Sequence, residues 1–135
     1  MSLKTYTGSC HCGQVRFRAE LDLSAGTGRC NCSYCFKTRA WGVTLKPAAF
    51  LLLAGEDALS QYQFNTKTGH HRFCRHCGVR THGDGYVEQL GGAFVSINVA
   101  CLEHVSDEEL ATAPVHYSDG RNDAWWNEPS EKRYL

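Results

Sequence analysis

Seven of the eight cysteines in this 135-residue chain fall into three tight groups. Cys10 and Cys12 form C-x-C, Cys30, Cys32 and Cys35 form C-x-C-x-x-C, and Cys74 with Cys77 forms C-x-x-C. Disulfides usually join distant segments, and such close neighbours are poorly placed to bond each other. Reduced thiolates at this spacing suit a soft metal ion such as zinc. A structural zinc takes four protein ligands in a closed tetrahedron, whereas a reactive one keeps three and leaves a position for exchange. Two two-cysteine groups from distant segments make the natural closed site, Cys10 and Cys12 with Cys74 and Cys77. Each is followed by a glycine, Gly13 and Gly78, which lets the chain turn sharply and frees backbone amides to hydrogen-bond the sulfurs.

Cys30, Cys32 and Cys35 then remain as a three-thiolate group with one open position. That position can hold water, a histidine or a thiolate from outside. The alternative is a second closed site, with His71, His76, His11 or Cys101 as its fourth ligand. Cys101 sits in an apolar run, Ile97-Asn98-Val99-Ala100-Cys101-Leu102. It reads better as core, since free cysteine is among the most buried residue types.

The elements that must carry these groups are mostly strands. Gln14 to Leu21 alternates polar and apolar, as a half-buried strand does. Ala40 to Leu45, Phe50 to Leu53, Ser60 to Asn65 and Ala93 to Val99 read as further strands. The 13 glycines cluster at joints, among them Gly26-Thr27-Gly28, Gly83-Asp84-Gly85 and Gly91-Gly92. This pattern predicts a β-rich domain. One short helix near the C-terminus is expected, opened by Ser106-Asp107-Glu108-Glu109 as a capping box and stopped before Pro114. The tail carries Tyr117, Trp125, Trp126 and Tyr134, too many aromatics for a disordered segment, so residues 106–135 are expected to pack back on a core of about residues 5–105. The whole of 1–135 reads as one domain.

Lys+Arg and Asp+Glu are equal at 14 each, which is not the electrostatic footprint of a nucleic-acid binder. The longest apolar stretch, Ala48 to Ala54, is too short to span a bilayer. With no apolar signal core near the first residues, the expected compartment is the cytoplasm. Oligomeric state has no signature in the sequence.

Taken in order, Gly8-Ser9-Cys10-His11-Cys12-Gly13, Cys30-Asn31-Cys32-Ser33-Tyr34-Cys35 and Phe73-Cys74-Arg75-His76-Cys77-Gly78 resemble the glutathione-dependent formaldehyde-activating enzyme family, which also includes centromere protein V. The resemblance runs from about Thr5 to Val105 and is weaker in the tail. His71-Arg72-Phe73-Cys74 and Val99-Ala100-Cys101-Leu102 look closest to the centromere protein V branch. The resemblance implies a mainly β, zinc-ribbon-like fold called a β-tent. It implies structural zinc ligands at Cys10, Cys12, Cys74 and Cys77, and a catalytic zinc at Cys30, Cys32 and Cys35. Two Zn²⁺ per chain are thus expected, the three-cysteine ion being held less firmly.

The reaction implied is a carbon–sulfur lyase reaction, joining glutathione and formaldehyde as S-hydroxymethylglutathione. Lys37, Arg39 and Arg72 are candidates to bind the two carboxylates of glutathione. His11, His70, His71 and His82 are candidates to supply a proton. After Cys77-Gly78 many members place an aromatic or apolar residue where this chain has Arg80-Thr81-His82-Gly83, a departure that could reshape the pocket. Two other functions fit the cysteines: a non-catalytic zinc-ribbon binding module, and a thiol-redox or metal-handling protein.

Overall fold

In a computed structural model, described for residues 3–65 and 69–135, the strands form two sheets. The smaller is antiparallel and orders β1 (Lys4–Ser9), β2 (Arg16–Leu21) and β5 (Phe50–Ala54) as β1-β2-β5. The larger has seven strands: β3 (Thr27–Cys30), β4 (Gly42–Leu45), β6 (Leu59–Tyr62), β7 (His70–Cys74), β8 (Arg80–Val87), β9 (Gly92–Asn98) and β10 (Val115–Ser118). Their order is β10-β3-β4-β9-β8-β7-β6. Every pairing in it is antiparallel except β10 with β3, which is parallel. The protein is therefore mainly β, as expected. Among the described residues no helix is long and apolar enough to cross a membrane.

The alternation read in the sequence governs β2. Phe17, Ala19 and Leu21 are buried, while Arg18 and Glu20 face solvent. The three buried residues meet Leu45, Val95 and Ile97 from the larger sheet and Val99 just past the end of β9, so the core lies between the two sheets. The strand starts later than the periodicity suggests, because Gln14 and Val15 belong to the cysteine turn that precedes it. Val15 is buried in a second, smaller cluster with Cys10, Ala58 and Cys74. Cys101 joins the main core, and its Sγ lies 3.4 Å from the Arg80 carbonyl.

Two expectations are corrected. Gly83-Asp84-Gly85 is not a joint but lies inside β8. A Cβ on Gly83 would come within 2.7 Å of the Arg80 guanidinium and 2.9 Å of the His70 carbonyl, so the residue is fixed by close approach. The second concerns helices: among the described residues there are two α-helices, where one was expected. The expected helix is α2 (Asp107–Thr112), with Ser106 Oγ accepting from the Glu109 amide at 3.1 Å. Glu109 does not complete the capping box; its carboxylate takes hydrogen bonds from Tyr6 and Lys4 instead. The unexpected helix, α1 (Ser33–Thr38), begins at the second cysteine group.

His82 shows what the polar stretch after Gly78 does. It is buried in β8 with its ring 4.7 Å from that of Phe50, and Nδ1 lies 2.8 Å from Thr81 Oγ1. Burial, aided by the Arg72 and Arg80 cations, pushes its pKa down to about 4. The folded state thus refuses a proton that the unfolded chain accepts below its ordinary value of 6.5. The stability contributed is complete above that value and is lost as the pH falls through the window toward 4. Urea unfolding of the wild type and His82→Gln should show the wild type losing about 1 kcal/mol relative to the variant between about pH 7.5 and about pH 5.5. A pH-independent difference would contradict the assignment.

Candidate metal centres and adjoining cleft

The sulfurs of Cys10, Cys12, Cys74 and Cys77 all lie within 4.8 Å of one another. Cys10 follows β1, Cys74 ends β7, and Cys77 sits in the turn between β7 and β8. Cys10 and Cys12 Sγ are 3.6 Å apart, and Cys12 and Cys74 Sγ 3.7 Å. A disulfide needs about 2.05 Å. A tetrahedron with metal–sulfur bonds of about 2.3 Å has edges of about 3.8 Å. The donor set therefore fits a soft metal ion, and all eight cysteines are free thiols.

The backbone supports the same reading. Gly13 and Gly78 adopt φ of +84° and +77°, which bend the chain after each pair. The amides aimed at sulfur come from the neighbouring residues: Val15 donates to Cys10 Sγ at 3.3 Å and His76 to Cys74 Sγ at 3.4 Å. The glycine amides close the turns, bonding the carbonyls of Cys10 and Cys74 at 3.2 and 2.7 Å. Amides of the Cys12 turn and of Val79 hold the Cys77 thiol down at about 6.

Cys30, Cys32 and Cys35 also lie with their sulfurs within 4.8 Å of one another. Cys30 ends β3, Cys32 is the N-cap of α1, and Cys35 lies in its first turns. Cys32 Sγ accepts the Cys35 amide at 3.4 Å, and Cys30 Sγ accepts the Cys32 amide at 3.4 Å. Hydrogen bonds from the Cys30 and Cys35 thiols, joined by the Cys35 and Tyr34 amides, push Cys32 far below the ordinary thiol range. Among the described residues no fourth His, Cys, Asp or Glu donor joins this group.

The group is held from behind by the C-terminal segment. Asn31 is buried between two of the cysteines, with 3% of its surface exposed. Its Nδ2 donates to Asp119 Oδ1 at 2.9 Å, and its Oδ1 accepts the Arg121 amide at 2.9 Å. Gly120 lies directly on the site: a Cβ there would come 2.6 Å from Cys30 Sγ and 2.4 Å from the Trp125 ring.

Cys32 opens on a cleft of about 580 Å³. Phe36, Phe64, His71 and Trp125 supply its rings, and Lys37, Arg121 and Asp123 its charges. Behind it Tyr34 stacks on His71 with centroids 3.9 Å apart. Burial, then the nearby Arg80 cation, hold His71 down at about 4, so its ring is neutral near pH 7. His71 Nδ1 and Arg80 Nε are buried without a hydrogen-bond partner among the described residues.

The candidates from the sequence separate sharply. Lys37 and His71 face this cleft. Arg39 instead donates to the Tyr134 carbonyl at 2.7 Å, and Arg72 is paired with Asp84 at 2.9 Å. His70 lies 2.9 Å from Gln61 Oε1, His82 is in the core, and His11 is exposed beside the four-cysteine group. Arg121, Asp123 and Trp125 were not found as cleft residues by sequence reasoning. Their only signal was the aromatic density of the tail.

If Asn31 anchors the tail, Asn31→Ala should lower stability by about 2 kcal/mol, because it leaves the Arg121 amide without its partner and removes one of the hydrogen bonds to Asp119, which keeps those from Asn122. Denaturant unfolding measures this, and an unchanged midpoint would show that the tail is held elsewhere.

A family model described as glutathione-dependent formaldehyde-activating enzyme matches residues 5–119. The match reaches past the expected core into α2 and β10. A curated Halomonas elongata protein named putative glutathione-dependent formaldehyde-activating enzyme is 38% identical over 78 residues, which are 52% of this chain and 50% of that protein. The aligned stretch thus spans about half of this relative's length. A crystal structure of a Rhodobacter sphaeroides protein superposes with a TM-score of 0.68 at 35% identity, covering 82% of this chain and 99% of that one.

Proposed function

Since this chain belongs to the glutathione-dependent formaldehyde-activating enzyme family, we propose that it is a zinc-dependent carbon–sulfur lyase acting on the adduct of a small thiol, such as glutathione, with an aldehyde. The observation that carries the reading is the three-thiol group of Cys30, Cys32 and Cys35 opening on a cleft with matching charges. In this reading Cys10, Cys12, Cys74 and Cys77 hold a structural zinc, and Cys30, Cys32 and Cys35 hold a second, catalytic one. Bound zinc would supply positive charge that keeps a substrate sulfur as thiolate near neutral pH, in the forward addition and in the reverse cleavage.

The remaining tasks fall to the cleft. Glutathione carries two carboxylates and one ammonium group. Lys37 and Arg121 offer two cations, and Asp123 one anion, along the same cleft. His71 is the ring placed to exchange a proton with the carbonyl oxygen as the carbon–sulfur bond forms or breaks. Asn31 and Gly120 act through the cysteines and position them. Eight free thiols suit a reducing compartment, which supports a cytoplasmic location.

Exchange between free and glutathione-bound formaldehyde, followed by NMR, tests the reading. Wild type should accelerate it, and Cys32→Ser should reduce the rate by about 100-fold while keeping a cooperative melt. Cys74→Ser should instead lose the folded state, because metal binding there contributes folding free energy. Absence of exchange at stoichiometric enzyme would sink the glutathione–formaldehyde pair.

A further inference from the structure

The cleft holds more aromatic surface than glutathione and a one-carbon aldehyde can use. Its rings come from four places: Phe36 on α1, Phe64 after β6, His71 on β7, and Trp125 from the tail. Phe64 and His71 lie nearly parallel, 16° apart with centroids at 5.6 Å, and Tyr34 extends the stack. Trp125 keeps 47% of its surface exposed and Phe36 38%. Glutathione has no ring, and in the reading above its charged ends fall to Lys37, Arg121 and Asp123. Formaldehyde offers no surface to bury. Trp125 lies past residue 119, where the family match ends, whereas Phe36, Phe64 and His71 lie within it.

We infer that the aldehyde partner carries an aromatic ring, which lies against Trp125 and Phe64 while the thiol end faces Cys32. This rests on the thiol–aldehyde chemistry proposed above. The step itself is balanced: the thiol S–H bond breaks, a carbon–sulfur bond forms at the carbonyl carbon, and the proton passes to the carbonyl oxygen. No electrons are gained or lost, and thiol and aldehyde are the only reactants. Burying a phenyl group in such a cleft is worth about thirtyfold in affinity.

The test pairs binding with turnover. Calorimetry with the zinc-loaded protein compares S-benzylglutathione with S-methylglutathione, two stable thioethers differing only in the ring. NMR exchange compares phenylacetaldehyde with acetaldehyde, each with glutathione. The benzyl thioether should bind about thirtyfold more tightly, and phenylacetaldehyde should be favoured by about tenfold or more. Trp125→Ala and Phe64→Leu should each bring both ratios toward one. Equal binding and equal exchange, or a preference that survives in both variants, would overturn the inference and leave the lyase reading intact. No exchange with formaldehyde, acetaldehyde or phenylacetaldehyde would overturn both.

Discussion

Four sulfurs from segments more than sixty residues apart in the chain approach to within 4.8 Å of one another. Two thiolates at 3.7 Å repel by about 4 kcal/mol even at an effective dielectric of about 20. Four of them can share that volume only if protons or a cation offset the charge. The amides of Val15 and His76 and the positive-φ turns at Gly13 and Gly78 are shaped around the sulfurs, not around a packed side chain. This point of convergence fixes the start of β2 against the β7–β8 turn. It thereby joins the smaller sheet to the larger at a place where the apolar cluster is small, with Val15 and Ala58 buried beside the cysteines and Leu52, Leu59 and Val79 partly buried around them.

The second cysteine group depends on that frame in a different way. It sits at the other side of the large sheet, where β3 leads into α1, and it is backed by hydrogen bonds in place of a second pair of cysteines. Asn31 reaches the tail through Asp119 and Arg121, and Gly120 lets the tail lie on Cys30 without a side chain between them. The parallel pairing of β10 with β3 brings the tail there. One face of the three thiols is thus closed by backbone and Asn31, and the other opens on the cleft. Closure on one side and access on the other is what distinguishes a site built for exchange from one built for stability.

The sequence showed the cysteine groups because ligand spacing is local, and it showed β2, β5, β9 and α2 because their periodicity or cap is local too. Strands β7 and β8 were not visible. His70-His71-Arg72 and Arg80-Thr81-His82-Gly83 have no apolar alternation, and they become strands through pairing on both sides. Helix α1 was missed because its N-cap is the thiol of Cys32, a residue outside the usual capping set. The cleft was half legible. Lys37 and His71 could be named from the motifs nearby, whereas Arg121, Asp123 and Trp125 reach the site only through the β10–β3 pairing. Arg72 looked free in the sequence and is paired with Asp84 in the fold.

The central claim is that the two cysteine groups hold metal for different purposes, one for the fold and one for chemistry. Stepwise chelation, with metal counted by native mass spectrometry and backbone protection followed by hydrogen exchange, tests it most directly. The account predicts two zinc ions per chain. The first should leave with protection in both sheets retained, and the second should leave with the collapse of that protection. Loss of the first ion together with global protection, or a protein that never binds more than one, would contradict it.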